Sequence, residues 1–416
     1  MVYKPKIFLW MLFVVLACGA GQGQQDGSVD YNNRGVEAFK AGNFPLAIEL
    51  LEQAYALAPE SGLVRGNLCN AFQGQANELI VRKDYRSALP YLERAIKVDP
   101  ENASPRVQLG SCYLNLAEVN AAIVQLEAAI DLTPGELNAH ELLGQAYYMD
   151  NDLSSAREQW DYVLEMDPQR TELKKRYDKA FREESVEYDF NQWKSRHFRI
   201  SYPPNIPAAL RSTVSSILDR AYIDIGRALG GVFPPPPIHV ILYTAEQFTE
   251  ATRLEQHIGA VYDGKIRTPL TDAGGVWLPQ EELERRLVHE YAHVVARSIA
   301  GDNMPWWVNE GLAETLSKSL SDTEKTRLGQ AYGRSEVYSL AQLESNQVAS
   351  FNPEALRLAY LQSHASIDFL WRRFGHSKMM SFLRALRSGT SGEAALQSVY
   401  RRNYARLEQD VAVSCN

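Results

Sequence analysis

The sequence predicts a multidomain chain: an all-α solenoid of helical repeats, followed by an α+β domain that ends in a helical C-terminal part. Three observations carry this. Small and aromatic residues recur with a fixed period through residues 29–168, strand-like alternation interleaves with helical spacing between His197 and Arg267, and beyond Leu320 the spacing is helical throughout. At 416 residues the chain exceeds one ordinary core, so two or three domains are expected.

Residues 1–18 carry Lys4 and Lys6, an apolar run from Ile7 to Ala17, and then Cys18. The run is too short to span a bilayer and reads as an export signal. Val15-Leu16-Ala17-Cys18 resembles a bacterial lipoprotein cleavage box, with Val15 where leucine is usual. That resemblance implies a membrane anchor through a lipidated Cys18; ordinary signal cleavage after Ala20 is the alternative. Gly- and Gln-rich residues 19–28 form a flexible tether in either case. The expected location is the bacterial cell envelope, as a periplasmic lipoprotein, or outside the cell. Cys69, Cys112 and Cys415 remain after export, which leaves at least one unpaired; Cys69 and Cys112 sit in helical repeats and read as small buried hydrophobes. With 43 basic against 51 acidic residues and no basic run, nucleic acid is excluded as a partner.

Within 29–168, Gly110, Tyr113, Ala122, Ala129 and Pro134 are matched one period later by Gly144, Tyr147, Ala156, Val163 and Pro168. Earlier copies are marked by Gly35, Ala47, Ala54 and Pro59, and by Ala88, Ala95 and Pro100. The roughly 34-residue period resembles the tetratricopeptide repeat, two helices per unit with small residues at the close contacts, and implies four repeats. The second copy is longer, through a longer first helix or a loop around Asn70 to Gln75. Charged residues 169–187 form a capping helix or linker. The repeats offer a groove for a peptide or protein partner, or act as a spacer.

Residues 188–416 form the second domain. His197–Tyr202 alternates and ends at Pro203-Pro204, as a strand does. Ala208–Leu229 is an amphipathic helix stopped by Gly230-Gly231. Ile238–Tyr243 is a second strand, and Thr244 with Gln247 makes a capping box for a short helix. Residues 258–267, with a turn at Asp263-Gly264, read as a hairpin.

The chemistry lies just beyond. Leu283, Leu287, Tyr291, Val294 and Val295 recur at helical spacing, so a helix runs from about Gln280 to Ala300, and Gly301 stops it. His289 and His293 then lie one turn apart on one face. Two imidazoles so placed can bind one Zn2+, while Glu290, turned about 100° away, can reach the water that a catalytic zinc activates. A catalytic zinc needs a third protein ligand and an open position. Pro305 suits the first turn of a second helix, on which Glu310 and Glu314 share a face; Glu310 is the candidate ligand and Glu314 the candidate partner of a ligand histidine. A surface helix with two stray histidines is the plain alternative. The remaining histidines, His140, His197, His239, His257 and His376, read as structural or surface residues.

His289-Glu290-x-x-His293 with a downstream Trp-x-Asn-Glu310-Gly-x-Ala resembles the gluzincin metallopeptidases, the thermolysin and aminopeptidase-N clan. Within it, about Phe198 to Tyr400 is similar to the peptidase-MA-like domains found beside helical repeats. The resemblance implies a zincin-like metallopeptidase fold, one zinc per chain held by His289, His293 and Glu310, and Glu290 as general base. The interval from His293 to Glu310 is shorter than in the aminopeptidases, so the resemblance does not extend to exopeptidase activity. It further implies that the hairpin strand carrying Gly259, Val261 and Tyr262 is the sheet edge along which a peptide lies by strand addition. The helix from Ala359 to Phe374, ended by Gly375, corresponds in placement to the helix that completes such a site. Tyr360 is the first candidate to stabilise the developing oxyanion and His364 the second, with a packed tyrosine as the alternative. Trp306 and Trp307 read as a pocket wall or as core. The expected activity is metal-assisted hydrolysis of peptide bonds. Two rivals stand beside it: an envelope scaffold whose zinc site is structural or vestigial, and hydrolysis of a non-peptide amide.

Overall fold

The computed structural model describes residues 27–253, 261–262, 264–301, 303–344 and 351–415. They form two compact units that divide between Leu173 and Lys174.

The first unit is a run of paired helices: α1 over 27–40, α2 Phe44–Leu57, α3 Gly62–Val81, α4 Tyr85–Val98, α5 Ser104–Asn115, α6 Val119–Leu132, α7 Leu137–Met149 and α8 Leu153–Met166. From α2 onward each packs on the next. The periodic positions are the contacts: Ala47, Ala54, Ala88, Ala95, Ala122, Ala129, Ala156 and Val163 are all fully buried. Gly110 and Gly144 are small for the same reason, since an added Cβ would lie 2.6 Å from Leu126 and 2.4 Å from the Trp160 indole. Asn43, Asp84 and Asp152 cap the second helices of their repeats through side-chain oxygens. The turn inside each repeat needs one left-handed residue. Gly42 supplies it freely, whereas Lys83, Ala117 and Asn151 adopt φ of 59°, 58° and 60° at some steric cost. The longer second repeat is settled as helix: α3 has 20 residues against 12 in α5 and 13 in α7. Cys69, Cys112 and Cys415 are free thiols, the first two buried in the repeats.

The second unit opens within α9, Thr171–Glu187, the helix expected to close the repeat stack; the division between units falls in its first turn. A five-stranded sheet follows in the order β1-β2-β3-β5-β4, with β1 Asn191–Lys194, β2 Phe198–Tyr202, β3 Ile238–Tyr243, β4 Val261–Tyr262 and β5 Ile266–Pro269. The inner strands β2, β3 and β5 are parallel, and β1 and β4 pair antiparallel at the edges. Alternation along the strands separates two layers. Ile238, Val240, Leu242 and Ile266 enter the main core with α10, Ala208–Ala228, and α12, Gln280–Ala300. Ile241 and Tyr243 pack instead with Val186 of α9 and Phe248 and Ala251 of α11, Ala245–Thr252. The Thr244/Gln247 capping box forms as read. Of the expected hairpin, Val261 and Tyr262 pair with Arg267 and Ile266, while Gly259 lies outside the described residues.

Helices complete the unit: α13 Trp306–Ser317, α14 Asp322–Gly333, α15 Pro353–Arg387, α16 Gly392–Tyr400 and α17 Tyr404–Ser414. The helix read as Ala359–Phe374 starts a turn and a half earlier, at Pro353, because Asn352 caps it, and leaves helical geometry at Gly375 (φ 77°). Among the described residues no helix is long and apolar enough to cross a membrane.

On the α9 side of the sheet, Arg267 is fully buried. Its Nη2 donates to Glu183 at 2.9 Å, and its Nη1 donates to Glu187 at 3.2 Å and to the Tyr243 hydroxyl at 2.6 Å. Removing one member of a buried charge set leaves the others uncompensated. Arg267→Met is therefore expected to destabilise the second unit by about 3–5 kcal/mol, read from its urea-unfolding transition; a change below about 1 kcal/mol would contradict it.

Candidate metal centre

The centre is built from two helices. α12 starts after Pro279, carries Glu281 and Glu282 in its first turn where the helix dipole favours them, and stops at Gly301 with φ 68°. Leu283, Leu287, Tyr291, Val295 and Ile299 bury one stripe of it, which fixes its rotation about its own axis. α13 follows Pro305, which occupies the cap position and not the first turn as read; Trp307, Val308, Leu312 and Ala313 anchor it in the core. With both helices locked by apolar stripes, their polar residues meet across the interface.

His289 Nε2 lies 3.4 Å from Glu310 Oε2, and His293 Nε2 lies 3.5 Å from the same oxygen. Ligand atoms about 2.0–2.1 Å from a tetrahedral zinc stand roughly 3.3–3.4 Å apart, and both histidine–Glu310 separations suit donors to one such ion. Glu290, 4% exposed, joins His289 and His293 in a group whose donor atoms lie within 4.8 Å of one another. The far sides of both rings are occupied. His293 Nδ1 is 3.0 Å from Asn309 Oδ1, and His289 Nδ1 is 3.4 Å from Glu314 Oε1, an ion-pair distance rather than a formed hydrogen bond. When the rings are neutral, acceptors there favour the proton on Nδ1, and both Nε2 atoms face Glu310.

Electrostatics reflect the same arrangement. Burial disfavours a charge on His289, but the Glu310 contact and the carboxylates of Glu290, Glu310 and Glu314 outweigh it and push the imidazole up to about 8. Burial prevails at His293, held below its ordinary value with help from the His289 charge. Glu310 stays below the usual carboxylate range despite burial, because both histidines favour its anion.

A third helix closes one side. An added Cβ on Gly311 would lie 2.3 Å from the Ser363 carbonyl oxygen, so α13 and α15 touch backbone to backbone. This contact sets Tyr360 against Trp306, ring centroids 5.2 Å apart, and in the field of Glu310, Glu290 and Glu314; burial and those charges raise its phenol pKa. His364, one turn on, is 1% exposed, and neither ring nitrogen has a hydrogen-bond partner among the described residues. Its charged neighbours are Glu314, Lys318, Asp368 and Glu324, and burial holds its pKa down. Tyr360 thus feels all three carboxylates of Glu290, Glu310 and Glu314, whereas of these only Glu314 acts on His364. Trp307 is core against Phe382 and Tyr404. α12 packs on β4 and β5, bringing the edge residues Val261 and Tyr262 beside the helix that carries the histidines.

Asn309 was not singled out by the sequence reading, although it immediately precedes Glu310. Nor was Lys318, whose partners come from two different helices. A cavity of ≈ 530 Å³ lined by Asp189, Pro204, Thr244, Asp272 and Trp277 contains none of the motif residues.

Comparison with known proteins agrees with this division of the chain. Residues 228–415 match the Peptidase MA superfamily, and residues 79–131 and 107–171 match tetratricopeptide repeats. Similar solved structures include TPR proteins. One is YrrB, a TPR protein described with an unusual peptide-binding site: 18% identity, 36% of this chain and 92% of that one, TM-score 0.27. The first TPR of Spaghetti (RPAP3), bound to an HSP90 peptide, shows 20% identity over 27% of this chain and 90% of that one, TM-score 0.27. MamA from Desulfovibrio magneticus RS-1 shows 22% identity over 34% of this chain and 77% of that one, TM-score 0.27. No curated protein matches.

Since the Gly311 contact is with main chain, no side-chain rotation relieves an added methyl. Gly311→Ala is expected to lower stability by about 1–3 kcal/mol, seen as an earlier thermal transition of the second unit; an unchanged midpoint would contradict the close approach.

Proposed function

We propose that this chain, a Peptidase MA superfamily domain behind tetratricopeptide repeats, is a zinc-dependent peptidase of the gluzincin type that cleaves peptide bonds. The observation that supports it most is the approach of His289 Nε2 and His293 Nε2 to the same Glu310 oxygen, at 3.4 and 3.5 Å. Three protein donors leave a fourth position open, as catalytic sites do and structural zinc sites do not, which argues against the scaffold reading.

Zinc held by His289, His293 and Glu310 would supply a Lewis acid that polarises a carbonyl and makes water a nucleophile near neutral pH. Glu290, buried beside both histidines, takes the proton of the attacking water and delivers it to the leaving amine. Tyr360 stays protonated because its pKa is raised, so its O–H can donate to the carbonyl oxygen as negative charge builds there. The β4 edge, with Val261 and Tyr262, offers main-chain hydrogen bonds to an extended peptide, which binds with little demand on side-chain identity. The repeats provide for a protein or peptide partner. Export to the cell envelope, with Cys18 as lipid anchor, rests on the leader sequence.

Metal analysis and peptide cleavage on the same preparations test this. Parent and Glu290→Gln are each expected to hold one zinc per chain with turnover in the parent only; turnover by Glu290→Gln would remove Glu290 from its role. Tyr360→Phe is expected to keep the zinc and lower kcat by roughly 10²–10³-fold, the effect of losing one oxyanion donor. An unchanged kcat would return Tyr360 to a packing role.

A further inference from the structure

The zinc reading just proposed singles out one side chain that the motif does not contain. Lys318 ends α13, where the chain turns to extended geometry (φ −156°, ψ 159°). Its Nζ lies 3.0 Å from Glu314 Oε2 and 3.0 Å from Glu324 Oε1. The other Glu314 oxygen is the one that faces His289 Nδ1 at 3.4 Å. Glu324 in turn accepts from the Ser321 N–H at 2.9 Å through its second oxygen, closing the capping box that starts α14. A polar line therefore runs from the His289 imidazole, through a 3.4 Å contact to Glu314 and the two Lys318 ion pairs, to Glu324 at the N-terminus of the next helix.

An exposed Lys–Glu pair one helical turn apart contributes little, since water serves both partners as well. This pair differs in two respects. Glu314 is 8% exposed, so little water can replace the ammonium, and its opposite edge is committed to His289. The terminal torsion of a glutamate is broad, and a single 3.4 Å contact orients it weakly; a second contact to its other oxygen fixes the plane of the carboxylate. Lys318 is itself fixed, because Glu324 and the α14 cap hold its ammonium from the far side.

We infer that Lys318 is a positioning residue for the metal centre: by clamping Glu314 between α13 and the start of α14, it aims that carboxylate at His289 and holds the imidazole in its metal-binding orientation. It touches neither metal nor substrate. Loss of a group that holds a ligand histidine typically weakens metal binding about 10–100-fold, and Lys318 acts on such a group, Glu314, from one residue further out.

Zinc dissociation constants of the full chain, measured by chelator competition, test the clamp. Lys318→Met keeps the stem that packs on the helix and removes the ammonium, and is expected to weaken zinc at least about tenfold. Lys318→Arg, which can bridge the same carboxylates, is expected to remain within about threefold of the parent. Glu324→Gln should weaken zinc in the same direction by less, and serves as the readout if Lys318→Met does not fold. Thermal unfolding without added metal checks that the variants start from the same fold. Zinc affinities of Lys318→Met and Glu324→Gln within twofold of the parent would overturn the clamp, as would Lys318→Arg weakening as much as Lys318→Met. A parent that binds no zinc would instead overturn the zinc reading on which the clamp rests, so the two failures are distinguishable.

Discussion

The meeting of two imidazoles, of which that of His293 is buried, and the buried Glu310 carboxylate across the α12–α13 interface is the constraint on which the second unit depends. Polar groups removed from water are stable only when they find partners: Glu310 faces both Nε2 atoms, Asn309 hydrogen-bonds His293 Nδ1, and Glu314 lies at ion-pair distance from His289 Nδ1. The arrangement requires both helices to be held at a fixed rotation and spacing. The apolar stripe of α12 and the Trp307–Val308–Leu312–Ala313 anchor of α13 provide this. A local motif is thus functional only because a core of sequence-distant residues sets its geometry.

The same logic extends outward. Gly311 lets α15 reach α13 at main-chain distance, and on α15 Tyr360 lies in the field of Glu290, Glu310 and Glu314 and His364 in that of Glu314. β4 lies beside α12 because β5, its neighbour, is held in the sheet by β3 on one side and by the Arg267 charge cluster beneath. That cluster draws α9 into the second unit, so a helix next to the repeats in sequence contributes to the sheet on which the edge strand rests.

Much of this was legible in the sequence, for reasons that are local. Helix α12 was read from Gln280 to Ala300 because its apolar spacing, acidic first turn and terminal Gly301 all act within a few residues. The buried alanines of the repeats were legible because one packing solution is repeated. What was missed depends on partners far away in the chain. β1, Asn191–Lys194, has no apolar alternation and is a strand only because β2 offers it a free edge. Thr171–Glu187 reads as a charged cap until Arg267 claims Glu183 and Glu187, 84 and 80 positions before it. Asn309 and Lys318 are unremarkable in composition, and their value lies in which atoms they face.

X-ray absorption at the zinc edge of the zinc-loaded protein tests the central claim most directly, because it reads the donor atoms themselves. Two imidazole nitrogens and a carboxylate oxygen at about 2.0–2.1 Å, with a further light-atom ligand and no sulfur, are expected. Loss of one imidazole contribution in His289→Ala would tie that pattern to this site. Sulfur scattering near 2.3 Å, or a spectrum that His289→Ala leaves unchanged, would place the zinc elsewhere and contradict a catalytic centre between α12 and α13.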